Sequence, residues 1–184
     1  MKKKTLTSRK ITFSAVSIAL ATVTANFIKT PSLPFGGSMT LFSMLFAAVP
    51  GFLFGPLTGL IAAFAHGLIQ FISNPYVVHP IQVLLDYFLA FTALGLSGFT
   101  ENKKNGLIKG YTLGVLGRFV FVCLSGFVFY TSYIGAFKAD FIAIIYSIGY
   151  NLSYILPEYV LTLVVLMLPP VKKAFIYIKK IANE

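Results

Sequence analysis

Carboxylates are scarce in this chain. Asp and Glu together number 5 against 15 Lys and Arg, and 11% of the 184 residues are charged. So little charge beside 57% hydrophobic residues excludes an ordinary soluble domain. It fits a single integral membrane domain, residues 1–184, with little outside the bilayer. Cys123 is alone, which excludes a disulfide framework and a thiolate metal cluster. Tryptophan is absent, so stacking surfaces must come from the 19 Phe and 10 Tyr. Also missing are a Walker A sequence, a His-Glu-x-x-His pair and a Ser–His pair at nucleophile-elbow spacing. The chain therefore reads as a non-enzyme with no metal and no cofactor, unable to drive transport with ATP by itself.

What charge there is has a pattern. Lys2, Lys3, Lys4, Arg9 and Lys10 precede the first apolar run, Lys103, Lys104 and Lys109 share one loop, and Lys172, Lys173, Lys179 and Lys180 follow the last run. Lys29 and Lys138 fall in the opposite loops. This is positive-inside asymmetry rather than a nucleic-acid stripe. Six apolar runs are expected at 11–28, 39–54, 56–73, 80–99, 111–130 and 141–168. The fold expected is all-α, a bundle of six transmembrane helices with both termini cytoplasmic, in a multi-pass protein of a bacterial cell membrane. Taking the first run as a cleaved signal peptide, with a small-residue site near Ala25, would put the remaining basic loops on the wrong side.

Polar residues inside those runs are the informative ones. In Tyr76-Val-Val-His-Pro-Ile-Gln-Val-Leu-Leu-Asp-Tyr87, Pro80 suits a first helical turn, and Gln82 and Asp86 share one face at i and i+4. Asp86 then lies roughly 9 Å into a membrane helix, where a carboxylate needs water, a hydrogen-bonding pocket or a cation. The last run carries Tyr146, and Asn151, Tyr154 and Glu158 form one stripe along it; Pro157 is expected to kink it. Tyr130 and Phe129 end the fifth run at the depth of Asp86. The loop Thr30–Ser38, rich in Pro and Gly, carries Phe35 at its tip, either a lid aromatic or an interfacial anchor. His66 and Gln70, i and i+4 in the third run, fit an interhelical hydrogen bond or a ligand site. Arg118 lies close enough to the cytoplasmic face to snorkel. A carboxylate, an amide and aromatic faces suit a flat, partly cationic heterocycle. A proton-coupled carrier using Asp86, His66 and Glu158 as a relay is the alternative.

Three stretches carry a resemblance: Gly36-Gly-Ser-Met-Thr40; His79-Pro-Ile-Gln-Val-Leu-Leu-Asp-Tyr87 with Ala90-Phe91; and Tyr146-Ser-Ile-Gly-Tyr-Asn151-Leu-Ser-Tyr154 with Pro157. In order and spacing the chain resembles the thiamine-specific substrate-binding subunit (S-component, ThiT family) of energy-coupling factor transporters. The resemblance implies a six-helix protein that binds thiamine from outside. It also implies a transmembrane coupling protein and two ATPase subunits as partners, which alone use ATP. It places the acidic ligand residue on Asp86, where some members have Glu, and further contacts on Tyr87, Tyr76, Tyr146, Asn151 and Tyr130. Gln82 and Phe35 stand beside them. Ala15 and Ala19 resemble the family's small-residue surface for docking the coupling protein, although packing within this chain also explains such spacing. One departure is Val122, where the family pattern has a histidine; a related cationic or heterocyclic vitamin is therefore a further alternative.

Overall fold

Proline and glycine set the helix boundaries along the chain. The computed structural model describes residues 8–129 and 141–184. Helix α1 (Ser8–Phe27) ends at a loop that doubles back on itself through an antiparallel bridge between Lys29 and Thr40. Helix α2 (Ser43–Phe54) stops at Gly55, whose φ of 89° a side chain would strain, and Pro56 then opens α3 (Pro56–Ser73). Helix α4 (Pro80–Thr100) starts with Pro80 in its first turn, and the His79 imidazole accepts the Ile81 N–H at 3.1 Å. Helix α5 (Gly106–Val128), α6 (Phe141–Met167) and α7 (Pro169–Asn183) complete the described chain.

Among the described residues, five helices (α1, α3, α4, α5 and α6) are long and apolar enough to cross a membrane. The sixth apolar run narrows to α2, whose 12 residues are nearly all buried. At 1.5 Å per residue it spans about 18 Å, less than a hydrocarbon core, so the other helices enclose it. The bundle is apolar outside and turns polar side chains inward among an apolar core. Helix α3 exposes Leu57, Ile61, Phe64, Leu68 and Ile72 and buries Thr58, His66 and Gln70. Helix α6 buries Ser147, Asn151, Glu158 and Thr162 and turns Ile142, Ile145, Leu156, Val160 and Val164 outward. Water would destabilise such a surface; lipid matches it.

Helices α2, α3 and α4 meet backbone to backbone. A Cβ built on Gly59 would lie 2.6 Å from the Gly51 Cα, and one built on Gly95 would run into the Gly59 carbonyl. At the same crossing the Ser97 hydroxyl donates to the Ala48 carbonyl at 2.6 Å.

Two features differ from the sequence reading. Helix α5 begins at Gly106 rather than 111, so Arg118 lies about 18 Å along it and cannot snorkel to the near face. The lysines after the last span lie on a further helix. Leu168 is extended, Pro169 restarts the helix, and α7 folds back under the bundle. Its Asn183 amide donates to the Leu53 carbonyl at 3.1 Å, its Ile181 carbonyl accepts from Arg9 at 3.3 Å, and Lys179 donates to the Glu101 carbonyl.

Candidate functional site

The head of α4 fixes the carboxylate. Gln82, 1% exposed, donates from Nε2 to Asp86 Oδ2 at 2.6 Å, and its Oε1 accepts the Val78 N–H at 3.1 Å. One amide thus clamps Asp86 to the loop before the helix. The segment Leu84–Leu89 is a π-helix, a wider turn often found where a helix presents functional side chains. The Tyr87 hydroxyl, within this segment, donates to the Asn74 carbonyl and accepts the Tyr76 N–H, both at 2.8 Å. That leaves the ring, not the hydroxyl, to face a ligand.

Helix α6 supplies the opposite wall. Tyr146, Tyr150 and Tyr154 repeat at i, i+4 and i+8; the first two rings stack with centroids 6.3 Å apart. Asn151 is committed to the protein. Its Nδ2 donates to the Ser147 carbonyl at 2.9 Å and the Val122 carbonyl at 3.4 Å, and its Oδ1 accepts from the Tyr154 hydroxyl at 2.5 Å. Above them, the Tyr150 hydroxyl donates to the Pro34 carbonyl at 2.5 Å and accepts the Gly37 N–H at 2.8 Å. Phe35 and Gly36, with φ of 67° and 92°, turn the loop tip so that the Phe35 ring meets Tyr150 edge-on at 6.2 Å. Substituting Tyr150 with Phe removes both hydroxyl bonds while keeping the ring. Ligand dissociation should quicken by about three- to tenfold, since a neutral hydrogen bond contributes about 1 kcal/mol. Stopped-flow release of bound ligand checks this.

These walls enclose a cavity of about 400 Å³, within the range of small-molecule sites. Asp86, Tyr87, Tyr76, Tyr146, Asn151, Gln82 and Phe35 all line it, as does Val122. Phe35 thus sits on the cavity side of its loop. Tyr130 lies outside the described residues. Ala15 and Ala19 sit away from the cavity, exposed on the outer face of α1.

Arg118, Phe91, Tyr150 and Tyr154 line the cavity too and were not among the expected site residues, and Gln70, for which a ligand site was one of two readings, lines it as well. The Arg118 guanidinium lies 4.2 Å from the centre of the Phe91 ring, and its buried Nε has no hydrogen-bond partner among the described residues. The Gln70 Nε2 is likewise buried and unpartnered among the described residues, a donor available to a guest. The i, i+4, i+8 tyrosine spacing was a usable signal for Tyr150 and Tyr154. Arg118 was misplaced because the start of its helix was set five residues late.

His66 and Glu158 both make contacts between helices. The His66 Nδ1 lies 3.4 Å from the Thr22 hydroxyl on α1, and the ring is fully buried edge-on to Phe91 at 5.2 Å. Glu158 accepts the Thr40 hydroxyl at 2.6 Å, the Met44 N–H at 3.0 Å and the Ser43 hydroxyl at 3.3 Å. A carboxylate from α6 therefore caps the N-terminus of α2, where the helix dipole favours negative charge. Among the described residues, no group of three or more His, Cys, Asp or Glu is arranged to hold a metal ion. Chemically the cavity can hold a flat guest between aromatic faces, with Asp86 available to a positive charge.

Residues 11–178 match the family described as Thiamine transporter protein (Thia_YuaJ). The chain is 31% identical over 170 residues to the thiamine transporter ThiT of Bacillus subtilis (strain 168), which covers 84% of each protein. Among solved structures it is similar to ThiT from Listeria monocytogenes, with a TM-score of 0.66 and 20% identity over 90% of this chain and 96% of that one. That structural likeness concerns the fold.

Proposed function

The chain belongs to the thiamine transporter protein family, and from that premise we propose that it is the substrate-binding subunit of an ATP-driven importer. Membership makes it a multi-pass bacterial membrane protein of thiamine uptake, a transport protein and not an enzyme. The observation that carries the finer reading is Asp86, clamped by Gln82 in a roofed, aromatic-lined cavity. Thiamine is a cation of two flat rings. Asp86 would meet its positive charge, while the faces of Tyr76, Tyr87, Tyr146 and Phe35 take the rings. Gln70 offers an unpartnered donor to a ring edge. Asn151 acts mainly through Tyr154 and Val122, holding the wall in register. Val122 brings a methyl-bearing side chain where the family pattern has an imidazole, so edge recognition falls to the residues around it.

The chain shows no Walker A sequence, and Glu158 is held by donors at the start of α2. Energy for uptake would then come from partners: a transmembrane coupling protein, docked on the exposed Ala15 and Ala19 face of α1, and two ATPase subunits. The experiment is reconstitution of the purified chain alone in liposomes. It should bind thiamine at one site per chain and yield no net accumulation on an imposed proton gradient. Accumulation driven by that gradient would establish a self-sufficient carrier instead. Titration with the separate pyrimidine and thiazolium halves should show binding to the charged half weakened most by loss of Asp86.

A further inference from the structure

A second cavity, of about 680 Å³, lies at the lysine-rich end of the bundle, between α7 and the 101–106 turn. Lys103, Lys172, Lys179 and Lys180 line it, and Glu101 is the one acidic residue among its lining. Two of the four lysines are already engaged. Lys179 donates to the Glu101 carbonyl and lies 4.6 Å from the centre of the Phe52 ring, and Lys180 pairs with Glu184 at 3.9 Å. Lys103 and Lys172 are exposed and, among the described residues, make no ion pair. The rest of the lining is largely apolar, with Leu53, Leu107 and Leu166 buried and Phe175 half-buried.

Its position limits what such a groove can meet. Only Leu168 separates the last candidate membrane span from α7, so a bilayer crossed by α6 would place α7 at its surface. Ile176 and Tyr177 stay 66% and 64% exposed there, more apolar surface than water favours on a helix bearing four lysines. Unpaired cations above an apolar floor, at headgroup depth, complement an anionic amphiphile.

We propose that this groove binds an anionic glycerophospholipid, its phosphate between Lys103 and Lys172 and its acyl chains over the apolar floor. The site is separate from the thiamine cavity and does not depend on which vitamin that cavity holds. A bound lipid would bridge α7 to the 101–106 turn and so fasten the helix that closes this end of the bundle.

Native mass spectrometry of the full chain, titrated with phosphatidylglycerol or phosphatidylcholine, tests the site. Phosphatidylglycerol should bind at least about tenfold more tightly. Each lysine near an anionic headgroup contributes about fivefold, so Lys103→Gln with Lys172→Gln should weaken phosphatidylglycerol by about ten- to thirtyfold and leave phosphatidylcholine unchanged. Both lysines are exposed, so the double variant should keep the wild-type melting curve, which is recorded alongside. Lys173→Gln, outside the groove, should change little. Equal binding of the two lipids, or an equal loss with Lys173→Gln, overturns the proposal, because diffuse charge would then suffice. So does displacement of phosphatidylglycerol by millimolar inorganic phosphate, which would make this a simple anion site. Unchanged lipid binding by the double variant, with loss of an acidic protein partner, would assign the groove to that partner and overturn the lipid reading as well.

Discussion

Asp86→Asn should lower thiamine affinity by about ten- to a hundredfold while leaving the fold intact. The substitution keeps the shape of the side chain, and its carbonyl can still accept from Gln82 Nε2, which now stands 2.6 Å from Oδ2. What disappears is the negative charge facing the guest. A hydrogen bond to a charged partner contributes about 1.5–3 kcal/mol, which corresponds to that range of affinity. Stability should hold or rise slightly, because an unliganded carboxylate within a membrane is costly and the amide is not. Isothermal titration with thiamine, beside thermal unfolding of the apo protein, separates the two effects. Unaltered affinity in a folded variant would place the cation's partner elsewhere.

Glu158→Ala should damage the fold itself. The carboxylate accepts three donors, the hydroxyls of Thr40 and Ser43 and the Met44 N–H, all at the start of the buried helix α2. Alanine leaves the Met44 N–H without its acceptor and the Thr40 and Ser43 hydroxyls with only each other, where water is scarce, at a cost of about 3–5 kcal/mol for the group together. Thr40 and Ser43 also line the vitamin cavity, so thiamine binding should fall with the melting temperature. Glu158→Gln, which keeps one acceptor oxygen, should be intermediate on both measures. If the alanine variant melts as the wild type does, the capping role is wrong.

The contrast between these two carboxylates shows what a sequence can reveal about such a site. A charged or amide side chain in an apolar run is expensive, so Asp86, Gln82 and Asn151 announce themselves. Helical periodicity then brings them to one depth, and the structure does line one cavity with them. Which neighbours each one bonds was less legible: the Gln82–Asp86 pair follows from helical spacing, whereas the Val122 carbonyl that Asn151 reaches lies on another helix. Asn151, expected as an edge reader, lines the cavity while also bonding Ser147, Val122 and Tyr154. Glu158 looked like a proton carrier and caps a helix more than a hundred positions away in sequence. Arg118 was misread for a geometric reason: five residues at the start of α5 decide whether its chain reaches the surface or the cavity. Helix α7 went unread because its lysines, taken as a charge count, concealed the inward stripe of Val171, Phe175, Ile178 and Ala182.

The glycine crossing of α2, α3 and α4 bears on motion. Where helices touch through side chains, small slides can be absorbed by rotamer changes; where Gly51, Gly59 and Gly95 bring backbone against backbone, there are no rotamers to change. These three helices therefore have almost no internal degrees of freedom and travel as one block, with Asp86 mounted on it. Tyr146, Tyr150 and Tyr154 of the opposite wall stand on α6, which packs mainly against α5 and reaches the block through Glu158 and the loop before α2. Opening the cavity then costs a few hydrogen bonds at one seam and leaves the packed block undisturbed, so the site can admit a guest without losing the geometry that recognises it.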